Sequence, residues 1–200
     1  MRLGAGGHPV PRLVSCMQQI KGTVLKSRLA FVQEHFGEAG AARLLAGLSE
    51  ADREALAHLL AISWYPFELG RRLDEAIVKV LAGGDRAFFE QLGAASADKN
   101  LSTVHHAFLT PGNPHGLLSK ARTIYSMYYE TGRREYLKVG EKEAVLTTHD
   151  AEVFSAPDCL TVVGWHKRAL EMCGANGVVI VEEECRATGG AVCRYRVTWA

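Results

Sequence analysis

The sequence has no apolar run approaching the roughly 20 residues that a membrane-crossing helix needs. It also has almost no net charge, since 23 Lys and Arg stand against 22 Asp and Glu for a formal +1. The first absence leaves no transmembrane helix to expect, and the second leaves no phosphate-seeking surface. Neither a membrane nor a nucleic acid is therefore an expected partner. The opening stretch, MRLGAGGHPVPRLVS, has Gly and Pro where a signal peptide needs unbroken apolar residues, so a cytoplasmic location is expected. Catalytic signatures are missing too. There is no Gly-x-Ser-x-Gly elbow, no phosphate loop and no dinucleotide fingerprint, and Gly4-Ala-Gly-Gly7 precedes no strand-to-helix unit. No enzyme is expected.

What the chain does have is apolar material, 48% of its 200 residues, enough for one well-packed domain. Residues 1–18 read as a lead-in and 19–200 as a single domain, helical over 19–130 and sheet-forming over 131–200. Val24, Leu25, Leu29, Val32 and Phe36 recur at helical spacing, and Gly37 marks a stop before a second short helix over Ala39–Leu48. Ser49 caps a helix carrying Leu56, Leu59 and Leu60. Trp64-Tyr65-Pro66 breaks the run before a helix with Phe67, Leu69, Leu73 and Ile77 on one face, where Asp74 and Glu75 lie among Arg71, Arg72 and Lys79 as ordinary ion-pair partners. Asp85 caps the next helix, and a further one is predicted over Leu117–Tyr129. Strands are predicted over Arg134–Val139 and Ala144–Thr148, then a helix from about Cys159 to Met172, then strands over Val178–Glu183 and Val192–Trp199. This order predicts an α+β fold, a helical N-terminal part packed on a small antiparallel sheet made of two hairpins.

Five cysteines are an odd number for a disulfide framework, and in a reducing compartment they stay thiols unless a metal claims them. Cys16 stands alone, whereas Cys159, Cys173, Cys185 and Cys193 fall in the last quarter of the chain. A helix from Cys159 to Cys173 is about 21 Å long, and a returning strand from Val178 to Cys185 covers roughly 23 Å. The far end of that strand, with Glu182 and Cys185, therefore arrives beside Cys159, and the turn at Gly189-Gly190 brings Cys193 across from Cys185. Three thiolates and a carboxylate suit a tetrahedral zinc with a closed, structural shell. Spacing alone leaves buried free thiols and a Cys185–Cys193 disulfide open as alternatives. Cys173 reads as core, and Glu183 and Glu184 as a solvated face.

Residues 158–199 resemble the C-terminal part of the four-vinyl-reductase domain. The residues that carry the resemblance are Cys159, Gly164-Trp-His-Lys-Arg-Ala-Leu-Glu-Met-Cys-Gly174, Val181-Glu182-x-x-Cys185, Gly189 and Cys193-x-Tyr195. Sensor domains of aromatic-responsive bacterial transcription activators share that pattern. The resemblance implies that Cys159, Glu182, Cys185 and Cys193 bind zinc, that the domain senses a small molecule, and that it forms a homodimer. Nearly the whole chain also resembles an uncharacterised bacterial family of about 200 residues, through Lys21-Gly22 with Leu25-x-x-Arg28-Leu29, Ser63-Trp-Tyr-Pro-Phe67, Leu92-Gly-Ala-Ala-Ser96 and Pro114-His-Gly116. Related folds are haem nitric-oxide-binding domains and vesicle-tethering TRAPP subunits.

A sensor needs a pocket, and an apolar or aromatic ligand is the expected small-molecule partner. Candidates to line the pocket are Trp64, His105, His106, Phe108, Tyr125, Tyr128, Tyr136, Val163 and Trp165, although aromatics at helical spacing are commonly plain core. Haem sensors of the related fold use a Tyr-x-Ser-x-Arg motif beside the proximal His, and Tyr125-Ser126 does not make one, so haem is not expected. The leading reading is a zinc-stiffened, ligand-binding sensory domain. The alternatives are an interaction protein working through its surface, with the interior filled, and a zinc enzyme, which needs an open metal position.

Overall fold

The structure, a computed structural model, describes residues 18–103, 105–152 and 154–200. Cys16 and all but the last residue of the expected lead-in lie outside the described residues. The short strand β1 (Gln19–Lys21) leads straight into α1 (Gly22–Ala46). A Cβ at Gly22 would sit 2.2 Å from the Leu60 carbonyl oxygen, so only glycine lets the helix start that close to the loop after the next helix. The expected stop at Gly37 is there as a kink between two helical stretches. Gly37 takes φ 62°, ψ −168°, and the helix resumes beyond it. Ser49 caps α2 (Glu50–Ala57) by accepting from the Asp52 amide at 3.1 Å.

Trp64–Pro66 is not merely a break. It forms β2, paired antiparallel with β1, because the Ile20 backbone needs a partner where it is buried. Then come α3 (Phe67–Val80), α4 (Phe88–Leu101), a 3-10 turn (His106–Phe108), α5 (Pro114–Leu118) and α6 (Ala121–Tyr128). The single helix expected over Leu117–Tyr129 is thus two. The Ser119 amide bonds to His115 and the Lys120 amide to Leu117, which tightens the chain, and the Lys120 ammonium turns to the Ala107 and Phe108 carbonyls.

The two predicted hairpins do join into one antiparallel sheet. Its order is β3 (Arg133–Gly140), β4 (Glu143–His149), β6 (Cys193–Thr198), β5 (Val179–Glu184). Period-2 alternation buries Ala144, Leu146 and Thr148 of β4 and Cys193, Tyr195 and Val197 of β6 on the inner face. Against this face lies α7 (Ala156–Met172), capped by Ser155, which accepts from the Asp158 amide. It also packs against α4, which makes it the central element of the fold. A Cβ on Gly164 would meet the Glu90 carbonyl at 1.9 Å, and one on Gly93 the Thr161 carbonyl at 2.2 Å. Two facing glycines let these helices touch backbone to backbone.

Under that contact lies a buried ionic cluster. Arg28 of α1 donates through Nε to Asp74 of α3 at 2.5 Å and through Nη2 to Asp158 of α7 at 2.7 Å, and Tyr129 Oη reaches both Asp158 oxygens at 2.9 Å. Asp74 therefore faces the core, not the surface arginines expected for it, whereas Glu75 does pair with Arg71, beside Glu68. Burial pushes the Asp74 carboxyl up to about 6, even with Arg28 beside it. Burial works against the Arg28 charge, but the two aspartates outweigh it and hold its pKa above the usual value.

Candidate metal centre and interior cavity

The residue after Asp158 belongs to the other half of the molecule. Cys159, in the first turn of α7, points at the β5–β6 hairpin, where Cys185 follows β5 and Cys193 opens β6. The Cys159 sulfur lies 3.7 Å from that of Cys185 and 3.9 Å from that of Cys193. Glu182 completes the group, with one donor atom from each of the four residues within 4.8 Å of all the others. A bulge makes this possible. Glu182 pairs with Tyr195 and Glu184 with Arg194, so Glu183 is the extra residue and the strand bends where Glu182 and Cys185 must both turn inward.

This donor set could hold a metal ion. Zn–S bonds of about 2.3 Å in a tetrahedron place sulfurs about 3.8 Å apart, which matches the separations here. Glu182 Oε1 is buried and makes no hydrogen bond, a costly arrangement unless a cation takes it up. The thiols meanwhile perturb one another. Hydrogen bonding with Cys185 and Cys193, then burial, raises Cys159, whereas the Cys159 hydrogen bond lowers Cys193 to about 7. Glu183 and Glu184 stay outside the cluster. Glu183 pairs with Arg196, and Glu184 accepts from the Ala191 and Val192 amides and pairs with Arg194. Cys173 is core, its sulfur approached by the Thr110 amide at 3.5 Å.

Beside this cluster, between α4, α6, α7 and β3, lies an interior cavity of about 60 Å³. Of the residues put forward for a pocket, Tyr125, Tyr128 and Trp165 line it. The others lie elsewhere. Trp64 sits under the Lys21 ammonium, His105 packs edge-on behind Tyr128 beside Phe108, and His106 is in the 3-10 turn. Val163 is buried in the general core. Tyr136 donates to His115 Nδ1 at 2.7 Å, while His115 Nε2 donates to the Gly140 and Glu141 carbonyls, so this pair ties α5 to the β3–β4 turn.

The cavity wall is more polar than the aromatic inventory suggested. Arg134 and His166 line it, with Asn100 and Ser96 of α4. The period-2 pattern of β3 was the only sequence signal that turned Arg134 inward. His166 donates from Nδ1 to the Val162 carbonyl at 2.9 Å, and burial, with Arg134 nearby, lowers its pKa to about 3. Its ring is therefore neutral. Burial raises the Tyr128 phenol to about 12, with Asn100 pulling the other way. Neither Tyr128 Oη nor Trp165 Nε1 has a hydrogen-bond partner of acceptable geometry. Clefts larger than 300 Å³ occur only at the surface among the described cavities, for example the apolar one of about 410 Å³ between α1 and α2.

The family model described as "Protein of unknown function (DUF2378)" matches residues 18–200. Among solved structures the chain is similar to the H-NOX protein of K. algicida in its Fe(II) unliganded state, with TM-score 0.67 and 11% identity over 90% of this chain and 97% of that one. It is likewise similar to the H-NOX protein of S. oneidensis in the Fe(II)NO state, with TM-score 0.66 and 14% identity over 90% of this chain and 99% of that one. At such identities the likeness is one of fold, and it agrees with the predicted domain type. No curated protein matches the chain. No helix among the described residues is long and apolar enough to cross a membrane.

Proposed function

The chain belongs to the DUF2378 family, and we propose that it is a small-molecule-binding sensory domain of four-vinyl-reductase type, stapled by a structural zinc. The observation that carries the binding role is the interior cavity, where two buried polar atoms, Tyr128 Oη and Trp165 Nε1, go unpaired. An unpaired buried donor costs about 1–3 kcal/mol, and a ligand that accepts from it recovers that cost. Zinc fits the donor set by its sulfur spacing and by the orphaned Glu182 oxygen. Cys159, Glu182, Cys185 and Cys193 would fill four positions and leave none for a substrate water, so the metal's role is to fasten the hairpin, not to catalyse.

The H-NOX neighbours are described in terms of haem and NO. Haem does not fit this chain's cavity. A volume of about 60 Å³ is too small for a porphyrin, and His105 lies behind Tyr128 and does not line it. The same volume narrows the ligand. Drug-sized ligands occupy about 300–1,000 Å³, so this cavity favours the smaller end of the apolar or aromatic molecules expected from the sequence, or another ligand of similar size.

A second reading, in which the protein acts through its surface as a homodimer, is favoured by the outer face of the sheet. Leu137, Val145, Arg196 and Val181 share one cross-strand row there, and Leu137, Val139, Val179 and Val181 are all exposed. The deciding experiment pairs metal analysis by mass spectrometry with a screen for thermal stabilisation by small molecules, alongside light scattering of the same sample. About one zinc per chain, absent from Cys159→Ser, together with stabilising ligands supports the sensory reading. A dimer with no ligand response favours the second reading, and absence of metal removes the zinc staple.

A further inference from the structure

The most unusual charge in the molecule is Arg134. It is 5% exposed, yet among the described residues no carboxylate lies within ion-pair distance. Its one hydrogen bond runs from Nε to Thr148 Oγ1 at 3.0 Å, and its guanidinium lies over the rings of Tyr125 at 4.9 Å and Tyr195 at 5.9 Å. Aromatic faces and one hydroxyl hold the side chain in place, and its charge also acts on the Cys193 thiol, favouring the thiolate. Arg28 is the contrast. It is equally deep, and the fold supplies it with two aspartates.

A buried charge is retained only where something compensates it. Arg134 lines the cavity, and so do Tyr128 and Trp165 with their unpaired polar atoms. The wall therefore gathers donors: a guanidinium, an indole N–H, a phenol O–H and the Asn100 amide, which itself donates to Ser96. His166 adds no second charge, since burial keeps it neutral. We infer that the cavity binds a small carboxylate anion, with Arg134 as its counter-charge and Trp165 Nε1 and Tyr128 Oη as supporting donors. The planar guanidinium fork matches a carboxylate and is always charged. A volume of about 60 Å³ suits a small anion such as acetate or propionate.

This inference rests on the cavity being the ligand site, and the neutral analogue separates the two claims. Titration of the zinc-loaded protein with acetate and with acetamide, followed by calorimetry and by the Trp165 indole N–H resonance (assigned with Trp165→Phe), reads both. The expected result is one acetate per chain, at least tenfold tighter than acetamide, with a downfield shift of that resonance. Arg134→Gln should abolish the preference for the anion and leave the zinc content unchanged. Tyr128→Phe, which removes a hydroxyl with no partner and so should not unfold the protein, should weaken acetate about three- to tenfold. Equal affinity for acetate and acetamide would overturn the carboxylate assignment and leave the binding role standing. No binding of either overturns both. Loss of zinc in Arg134→Gln with acetate affinity intact would make Arg134 the counter-charge of the metal centre and likewise overturn the inference.

Discussion

The helical half and the sheet half grip α7 at two consecutive residues, by opposite chemistries. On the helical side Asp158 is held by the Arg28 cation and by the neutral Tyr129 phenol, both supplied by the fold itself. On the sheet side Cys159 faces Cys185, Cys193 and Glu182, a group whose members repel or compete for protons until a cation joins them. The first fastening draws its charges from the chain itself, with Arg28 Nη1 alone of the guanidinium nitrogens buried without a hydrogen-bond partner. The second, on the zinc reading proposed above, is completed only by a cation taken from solution. On that reading, one half is expected to hold its structure with or without metal, and the other only while a metal stays.

The largest test of this contrast is to remove the metal. Cys193→Ser, or chelation of the wild type, should loosen β5 and β6 and cost on the order of 5 kcal/mol, part of the roughly 10–16 kcal/mol that structural zinc contributes to peptides that cannot fold without it. Hydrogen exchange should show the loss confined to the terminal hairpin, with α1 and α3 still protected, and uniform deprotection would erase the distinction between the halves. Next comes Arg28→Met, which leaves Asp74 and Asp158 buried without their cation. Removal of one partner from such a cluster costs about 3–5 kcal/mol, to be read from urea unfolding, and zinc content should stay at the wild-type level if the two fastenings are independent.

A third test uses pH. Asp74 is raised to about 6 from a usual value of 3.8, so the folded state binds a proton that the unfolded chain has already released between those values. Its contribution is greatest below about 4 and is lost as the pH rises through 6. The penalty of Asp74→Asn should therefore be larger at pH 4 than at pH 7, by up to about 3 kcal/mol, measured as denaturation midpoints at the two pH values. A penalty growing with pH would mean that the ion pair with Arg28 outweighs burial. The smallest effect is expected at the seam. Gly164→Ala drives a methyl group into the Glu90 carbonyl and should cost about 2 kcal/mol by parting α7 from α4, again measurable by thermal unfolding with metal retained.

Much of this was legible in the residues. The two hairpins, the interruption at Gly37 and the convergence of Cys159, Glu182, Cys185 and Cys193 followed from period, turn residues and the lengths of helix and strand. The small β1–β2 sheet did not, because three-residue strands carry no periodicity. The split between α5 and α6 was hidden for a similar reason, since nothing in Leu117–Tyr129 forbids a continuous helix and only the pull of Lys120 toward Ala107 and Phe108 decides otherwise. The pocket was the least legible part. Aromatic residues could be counted, but which of them met across α4, α6, α7 and β3 could not.

Local residues dictate backbone rise and side-chain alternation, and those two quantities already lead to the α+β class and to the convergence of Cys159, Glu182, Cys185 and Cys193. Three outcomes emerge only from the folded packing: Asp74 faces Arg28 across 46 positions, Arg134 lies buried with no carboxylate paired to it among the described residues, and the cavity is small. Each depends on which distant side chains meet in three dimensions, and the cost or gain of burying a charge is set entirely by such neighbours.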